Sequence, residues 1–130
     1  MYALDTNTLV YLFKGTGRVG EHLLAESPAD IAIPSVVLYE LELGIALSNQ
    51  PTKRRKQLDA LLGAVVVLPF EVAAAKSAAH IESALRSAGT PIGSRDVLIA
   101  GTALAHQATL ITHNVREFRR VRGLSVADWF

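Results

Sequence analysis

Short apolar runs alternate with segments of helical periodicity along the whole chain. Runs at residues 2–4, 30–33, 65–68 and 109–112 predict strands, and a weaker run at 124–126 predicts a fifth. The segments between them predict helices that end at residue 14 or span 19–26, 36–47, 51–62, 71–88, 94–107 and 115–119. Because strands that alternate with helices need crossover connections, the pattern predicts a parallel sheet flanked by helices. The fold class is therefore α/β, in one domain over residues 1–130.

Residues at the ends of these elements support their predicted bounds. Thr6 or Asn7 can cap the first helix, and Ser94 can cap the sixth. Gly89 follows the fifth helix, where glycine commonly terminates helices. The run at 65–68 is apolar and β-branched, which predicts a buried strand.

The composition narrows the class of protein. Of 130 residues, 50% are hydrophobic and 19% charged, with no cysteine and a net charge of +1. The hydrophobic and charged fractions exclude a disordered chain, and the lack of cysteine excludes a disulfide framework and a cysteine-ligated zinc site. The net charge does not by itself indicate nucleic-acid binding. The longest apolar run, at 64–68, is too short to span a membrane, and no basic leader precedes Asp5. We expect a soluble cytoplasmic domain whose surplus apolar residues fill a doubly covered sheet and form a surface for a partner.

Two polar residues follow predicted strands directly. Asp5 follows the first strand and Asn114 the fourth, and ligands of open α/β sheets bind at the carboxyl ends of strands. Each has a simpler interpretation, since Asp5 can be a helix cap and Asn114 a turn residue. Their common position favours a shared site.

Two further acids lie on predicted helices. Glu40 stands among apolar neighbours, and a carboxylate on such a face must be paired, protonated or bound to a metal. Glu42 is rotated to the other side and is expected to be solvated. Asp96 lies in the first turn of the helix after Ser94, where the helix dipole favours acids, but apolar residues at helical spacing place it on the packed face.

Acids and an amide that converge from separate elements are typical of a site for a hard cation. Mg²⁺ and Mn²⁺ take oxygen ligands and retain waters that a phosphate can displace. Without metal, converging carboxylates repel each other, and at least one pKa should rise. Motifs for a zinc protease, a phosphate-binding loop or a serine hydrolase are absent.

The chain resembles the PIN-domain ribonucleases, specifically the VapC toxins of bacterial toxin–antitoxin pairs. The resemblance covers nearly the whole chain and rests on five motifs in family order, namely Asp5-Thr6-Asn7, Pro34-Ser35-Val36 with Glu40-Leu41 and Gly44, Pro91-Ile92-Gly93 with Asp96, Thr112-x-Asn114 with Glu117-Phe118, and Gly123-Leu124 with Asp128-Trp129. It implies a PIN-like sheet of about five strands and an endoribonuclease that depends on Mg²⁺, with Mn²⁺ as a substitute.

The resemblance also implies roles for individual residues. Asp5, Glu40 and Asp96 match the family's three acidic metal-site positions. Asn114 stands where many members carry a fourth acid, and with these three it completes the predicted catalytic set. The residues expected to surround and orient the acids are Thr6, Asn7, Thr112 and Glu117.

Partners follow from the same resemblance. A VapB-like antitoxin whose tail covers the active site, a homodimer and a transfer RNA substrate are expected. Arg86, Arg95 and Arg116 are candidates for RNA phosphates, because positive charge must offset the repulsion between an acidic site and a polyanion. The run at 53–56 is equally well explained as a solvated helix face.

Two alternatives stay open at this point. A metal-dependent phosphomonoesterase would release inorganic phosphate from small substrates and leave RNA intact. A non-catalytic PIN-like interaction module would bind a basic partner in its acidic pocket, although retention of all three acids argues against it.

Overall fold

The computed structural model describes residues 1–130 and consists of five strands and seven α-helices. In chain order the elements are β1 (Tyr2–Leu4), α1 (Thr6–Lys14), α2 (Val19–Leu24), a 3₁₀ turn (Pro28–Asp30), β2 (Ile31–Pro34), α3 (Ser35–Leu47), α4 (Pro51–Leu62), β3 (Val66–Leu68), α5 (Val72–Ser87), α6 (Ser94–Ala105), β4 (Thr109–Ile111), α7 (Val115–Phe118) and β5 (Val126–Ala127). The predicted α/β alternation is confirmed.

The five strands form one parallel sheet in the order β3-β2-β1-β4-β5. The strand order reverses direction between β1 and β4, which are neighbours in the sheet although most of the chain separates them. At such a switch point the connections leave the sheet on opposite sides and open a crevice at the carboxyl ends of the strands. The residues after β1 and β4 therefore face a ready-made site.

The core lies on both faces of the central strands. Ala3, Leu4, Ile33 and Leu110 have no exposed surface, as expected for parallel strands covered on both faces. The expectation of a buried third strand is wrong for most of its length, since Val66 and Val67 of β3 are 44% and 38% exposed. These side chains are exposed because β3 lies at the edge of the sheet.

Helices α5 and α6 approach each other unusually closely, and this contact fixes the position of α6. A Cβ placed on Gly101 of α6 would lie 2.7 Å from the Cβ of Ala78 in α5. Only glycine fits at this crossing, while the neighbouring Ala100 and Ala103 are fully buried. Because α6 also carries Asp96, the crossing helps to set the position of that carboxyl group.

Several predicted bounds are corrected by the structure. Asp30 belongs to the 3₁₀ turn rather than to β2, and β5 begins at Val126. Ser94 is the first helical residue of α6 and makes no capping hydrogen bond, because Gly93 occupies the cap position. None of the helices is both long and apolar enough to cross a membrane.

Candidate active site

Asp5 caps helix α1 from the end of β1, and it does so in place of the predicted Thr6 or Asn7. Its side chain accepts a 2.9 Å hydrogen bond from the backbone N–H of Thr8, and only 6% of the residue is exposed. The Thr8 hydroxyl in turn donates to the carbonyl of Ile111 at 3.1 Å, which ties the cap to β4. The capping interpretation and the functional one are compatible, because one oxygen makes the cap.

The environment of Asp5 works against its negative charge. Burial raises its pKa above the ordinary value, and the charge of Glu40 adds to that rise. Hydrogen bonds from Thr112 and Thr8 favour the charged form and lower the pKa, but the net shift is upward. A bound cation would relieve this cost.

Glu40 reaches the site from α3, the helix that follows β2. Its side chain is 21% exposed, and both of its carboxylate oxygens have a partner. The Thr6 hydroxyl donates to Oε1 at 2.8 Å, which links the first turn of α1 to α3. Oε2 lies 3.7 Å from Nη1 of Arg95. The expectation that Glu40 is not a freely solvated surface acid is confirmed.

Asp96 lies in the first turn of α6, close to the other acids. Burial, followed by repulsion from Glu40, Glu117 and Asp5, raises its pKa to about 6. A Cβ on the cap residue Gly93 would lie 3.0 Å from Oδ2 of Asp96, so a larger residue there would require this carboxyl group to shift. The mutual repulsion expected from converging carboxylates is thus present in the fold.

The segment after β4 supplies the remaining predicted side chains. The exposed Asn114 donates from Nδ2 to Oε2 of Glu117 at 3.0 Å. Thr112 is fully buried, accepts a 3.0 Å hydrogen bond from the backbone N–H of Asn114 and bonds to the side chain of Asp5. Thr112 therefore connects the end of β4 to Asp5 at the end of β1.

One predicted residue makes no hydrogen bond at the site, and one was missed. Asn7 is exposed, and its side chain makes no hydrogen bond in the structure, so its role at the acids stays a prediction. Thr8, which was not predicted, orients Asp5. Its place three residues after an Asp cap is the signal that identifies it, because the N–H at this position is unpaired within the helix.

Of the three arginines predicted to bind RNA, one contacts the acids. Arg95 lies beside Glu40, and its guanidinium carbon is 5.0 Å from the centre of the Tyr39 ring. Arg86 pairs with Glu82 at 3.2 Å and borders a cleft beside the start of α6. Arg116 is exposed on α7 and has no ion-pair partner.

Two arginines of the basic run at 53–56 make hydrogen bonds within the fold. Arg55 holds Glu42 through two hydrogen bonds of 2.7 and 2.5 Å, so the expectation that Glu42 is simply solvated is wrong. Arg54 donates to the carbonyl of Phe13 and to Gln57, at 3.4 and 2.8 Å. These contacts attach α4 to α3 and α1.

The donor set fits a hard divalent cation. Asp5, Glu40 and Asp96 offer only carboxylate oxygens, from three separate elements, and their repulsion is relieved by positive charge. In the structure, no three acidic or histidine side chains lie close enough together to hold a metal ion. One oxygen of Glu40 is already close to the cationic Arg95.

An apolar groove begins beside the acids and was not predicted. It runs between α1, α3 and α4, with Thr6 and Glu40 at its polar end, and its apolar lining consists of Val10, Phe13, Leu41, Ile45 and Leu58. Arg54 and Lys14 also border it. The groove places an apolar surface next to the acids.

Comparisons with known proteins agree with this geometry. The PIN domain family model matches residues 2–124. Ribonuclease VapC2 of Rickettsia felis is 33% identical, with 99% of this chain and 98% of that protein covered. The tRNA(fMet)-specific endonuclease VapC of Shigella flexneri is 31% identical, with 98% and 97% covered.

Solved structures extend the agreement to the fold. DNA-bound VapBC from Salmonella typhimurium matches with a TM-score of 0.92 at 30% identity, covering 99% of this chain and 98% of that one. VapBC2 from Rickettsia felis, bound to a promoter DNA fragment, matches with a TM-score of 0.89 at 33% identity and the same coverage. PIN-domain nucleases generally depend on a divalent metal ion. The chain belongs to the PIN-domain family, among the VapC ribonucleases of toxin–antitoxin systems.

Proposed function

We propose that this ribonuclease uses Mg²⁺, with Mn²⁺ as a substitute, and cleaves phosphodiester bonds of transfer RNA as the toxin of its pair. The observation that carries the proposal is the convergence of Asp5, Glu40 and Asp96, where burial and then repulsion from the neighbouring acids raise the pKa of Asp96 to about 6. A fold keeps such a repulsive cluster at a cost to its stability, so the cluster calls for a cation. The name of the Shigella flexneri relative, a tRNA(fMet)-specific endonuclease, supports transfer RNA as the substrate class.

Asp5, Glu40 and Asp96 would hold the ion. A divalent cation there supplies positive charge that offsets the carboxylates and stabilises charge developing on a phosphate. Thr8 and Thr112 fix the Asp5 carboxylate, and Thr6 fixes that of Glu40. These hydrogen bonds orient the oxygens before substrate arrives, which limits the reorganisation needed during the reaction.

Asn114 and Glu117 complete the site at the end of β4. The amide of Asn114 is held by Glu117, and its carbonyl oxygen remains available to accept a hydrogen bond. Asn114 brings no charge where many family members carry a fourth acid. We assign it to positioning the substrate or a water, with Glu117 orienting it.

RNA binding is assigned to Arg95, Arg86 and Arg116. Arg95 lies beside Glu40, while α5 carries Arg86 and α7 carries Arg116. Aromatic residues make up only 6% of the chain, which disfavours a broad stacking platform for single strands. A structured RNA recognised by shape fits this surface better.

An antitoxin fits the groove beside Glu40. The matched structures from Salmonella typhimurium and Rickettsia felis are VapBC complexes. An antitoxin tail that is apolar and ends in a basic side chain would complement a groove whose polar end is acidic. Exposed apolar residues on α2 and α3, Leu24 at 89% and Leu47 at 78%, support a homodimer. A transfer RNA substrate places the protein in the cytoplasm.

The test combines cleavage with metal removal. Purified protein and transfer RNA are incubated in EDTA and then with added Mg²⁺, Mn²⁺ or Ca²⁺, and new RNA 5′ ends are sequenced. We expect cleavage with Mg²⁺ or Mn²⁺ only, and none by Asp5→Asn or Glu40→Gln variants that remain folded. Asp30→Asn removes an exposed acid outside the site and is the matched control.

Each alternative predicts a different result. Cleavage that persists in EDTA with metal-free protein would refute the metal-dependent mechanism. Release of inorganic phosphate from small esters, with RNA left intact, would identify a phosphomonoesterase. Tight binding of a partner by protein that cleaves nothing in any metal would identify an interaction module.

A further inference from the structure

Arg95 occupies an unusual place for a surface arginine, because it contacts a predicted metal ligand of its own chain. Its Nη1 lies 3.7 Å from Oε2 of Glu40, and its side chain is 47% exposed while that of Glu40 is 21% exposed. The other oxygen of Glu40 accepts from Thr6. A positive charge therefore already stands at the oxygen that a divalent ion would need.

Tyr39 holds the guanidinium in that position. The guanidinium carbon lies 5.0 Å from the centre of the Tyr39 ring, within the range of a cation–π interaction. Tyr39 is 54% exposed, so packing in the core does not account for an aromatic residue at this position. Tyr39 and Glu40 are consecutive on α3, and together they provide Arg95 with a ring and a carboxylate.

The contact between Arg95 and Glu40 is loose by comparison with another arginine pair in the same molecule. Arg55 grips Glu42 with two hydrogen bonds of 2.7 and 2.5 Å. Arg95 and Glu40 approach to 3.7 Å, which is beyond the range of a hydrogen bond. Because Arg95 is about half-exposed and makes no hydrogen bond to Glu40, this ion pair costs little to break, and Arg95 can exchange one anionic partner for another.

We propose that Arg95 is an internal cation that competes with the divalent ion for Glu40 and moves to an RNA phosphate when substrate binds. The inference rests on the proposed function for the identity of the anion that draws Arg95 away. A guanidinium and a divalent ion at the same carboxylate oxygen repel each other, so each weakens the binding of the other. The phosphates of RNA offer Arg95 pairs of oxygens that it can bind through two parallel hydrogen bonds. RNA binding therefore frees Glu40, and metal loading is coupled to the presence of substrate.

The first experiment titrates MnCl₂ calorimetrically into RNA-free protein. Removing the competing charge with Arg95→Gln should tighten Mn²⁺ binding by roughly three- to tenfold, the scale expected for one partly exposed charge near the ion. Arg18→Gln is the matched control, because Arg18 pairs with Glu21 on α2 and the same charge is removed outside the site. It should leave Mn²⁺ affinity unchanged.

Tyr39 provides an independent variant that keeps the arginine. Tyr39→Leu removes the ring that holds Arg95 near Glu40, so Mn²⁺ binding should tighten in the same direction but by less. Tyr39→Phe keeps the ring and should behave as the wild type. A residue that only stabilised the fold would not raise metal affinity when it is altered.

The second experiment measures binding of an uncleavable transfer RNA analogue. Arg95→Gln should weaken RNA binding several-fold and reduce the salt dependence by about one phosphate contact. RNA should also raise Mn²⁺ affinity more in the wild type than in the variant, because only the wild type has a competitor to remove.

The outcomes separate this inference from the proposed function. Mn²⁺ affinity that is unchanged or lower in Arg95→Gln would overturn the competition, and an unchanged salt dependence of RNA binding would overturn the transfer to phosphate. A wild type that cleaves no RNA in Mg²⁺ would refute the proposed function, and the Mn²⁺ titration would still decide whether Arg95 competes for Glu40.

Discussion

Replacing Asp96 by asparagine should stabilise the metal-free protein, although it removes a residue assigned to catalysis. The pKa of Asp96 is raised from 3.8 to about 6 by burial and by the surrounding acids. Its side chain accepts no hydrogen bond in the structure, so an amide in its place loses no partner. Asp96→Asn therefore removes a partly buried charge and its repulsion from the other acids, and little else.

The size of the effect follows from the pKa shift. A rise of about two units corresponds to about 3 kcal/mol if none of it is screened. Asp96 is only half-buried, so solvent screens part of that energy, and the dipole of α6 favours a negative charge in its first turn. We expect a net gain of about 1–2 kcal/mol in the free energy of unfolding at pH 7, which corresponds to about 4–7 °C in Tm for a chain of this length.

The dependence on pH gives the stronger test. Because the folded protein binds a proton at Asp96 more tightly than the unfolded chain does, protonation of this carboxyl stabilises the fold. That stabilisation is complete below pH 3.8 and is lost as the pH rises through about 6. The difference between the wild type and the variant should therefore be small near pH 4 and reach its full size above pH 6.

Thermal unfolding followed by circular dichroism between pH 4 and 8, in EDTA, measures this difference. Saturating Mn²⁺ should then reverse the order, because an ion that binds the folded wild type stabilises it and binds the variant poorly. A variant less stable than the wild type in EDTA at pH 7 would show that Asp96 is a structural acid. A difference independent of pH would show that charge repulsion is not its cause.

Three other substitutions test how the fold supports the site. Thr112→Val removes a fully buried hydroxyl that bonds to Asp5 and to the backbone of Asn114, so denaturant unfolding should show a loss of about 1–3 kcal/mol, and an unchanged midpoint would contradict the assigned contacts. Gly101→Ala places a methyl group 2.7 Å from the Cβ of Ala78 and should lower the free energy of unfolding by about 1–3 kcal/mol. A stabilised variant would show that α5 and α6 separate easily. Asn114→Asp restores a fourth acid and should tighten Mn²⁺ binding in a calorimetric titration, whereas weaker binding would place this residue away from the ion.

The sequence alone predicts the class of fold and the position of the acids along the elements. Hydrophobic periodicity depends on neighbours a few residues apart, so the alternation of strands and helices can be derived without any knowledge of tertiary contacts. Asp5 and Asn114 follow strands, and the rule that ligands bind at the carboxyl ends of parallel strands brings them to one edge. Element ends are less certain, as Asp5 shows by capping α1 in place of Thr6 or Asn7.

Only the tertiary structure decides which partner each charged group acquires. Glu40 meets Arg95, and Glu42 meets Arg55, through pairings of helices whose packing no local pattern reveals. The exposure of β3 depends on its place at the edge of the sheet, which composition cannot indicate for an apolar run. Local propensity acts within one element, whereas ion pairs between helices and close helix crossings arise from packing between elements that are distant in the chain.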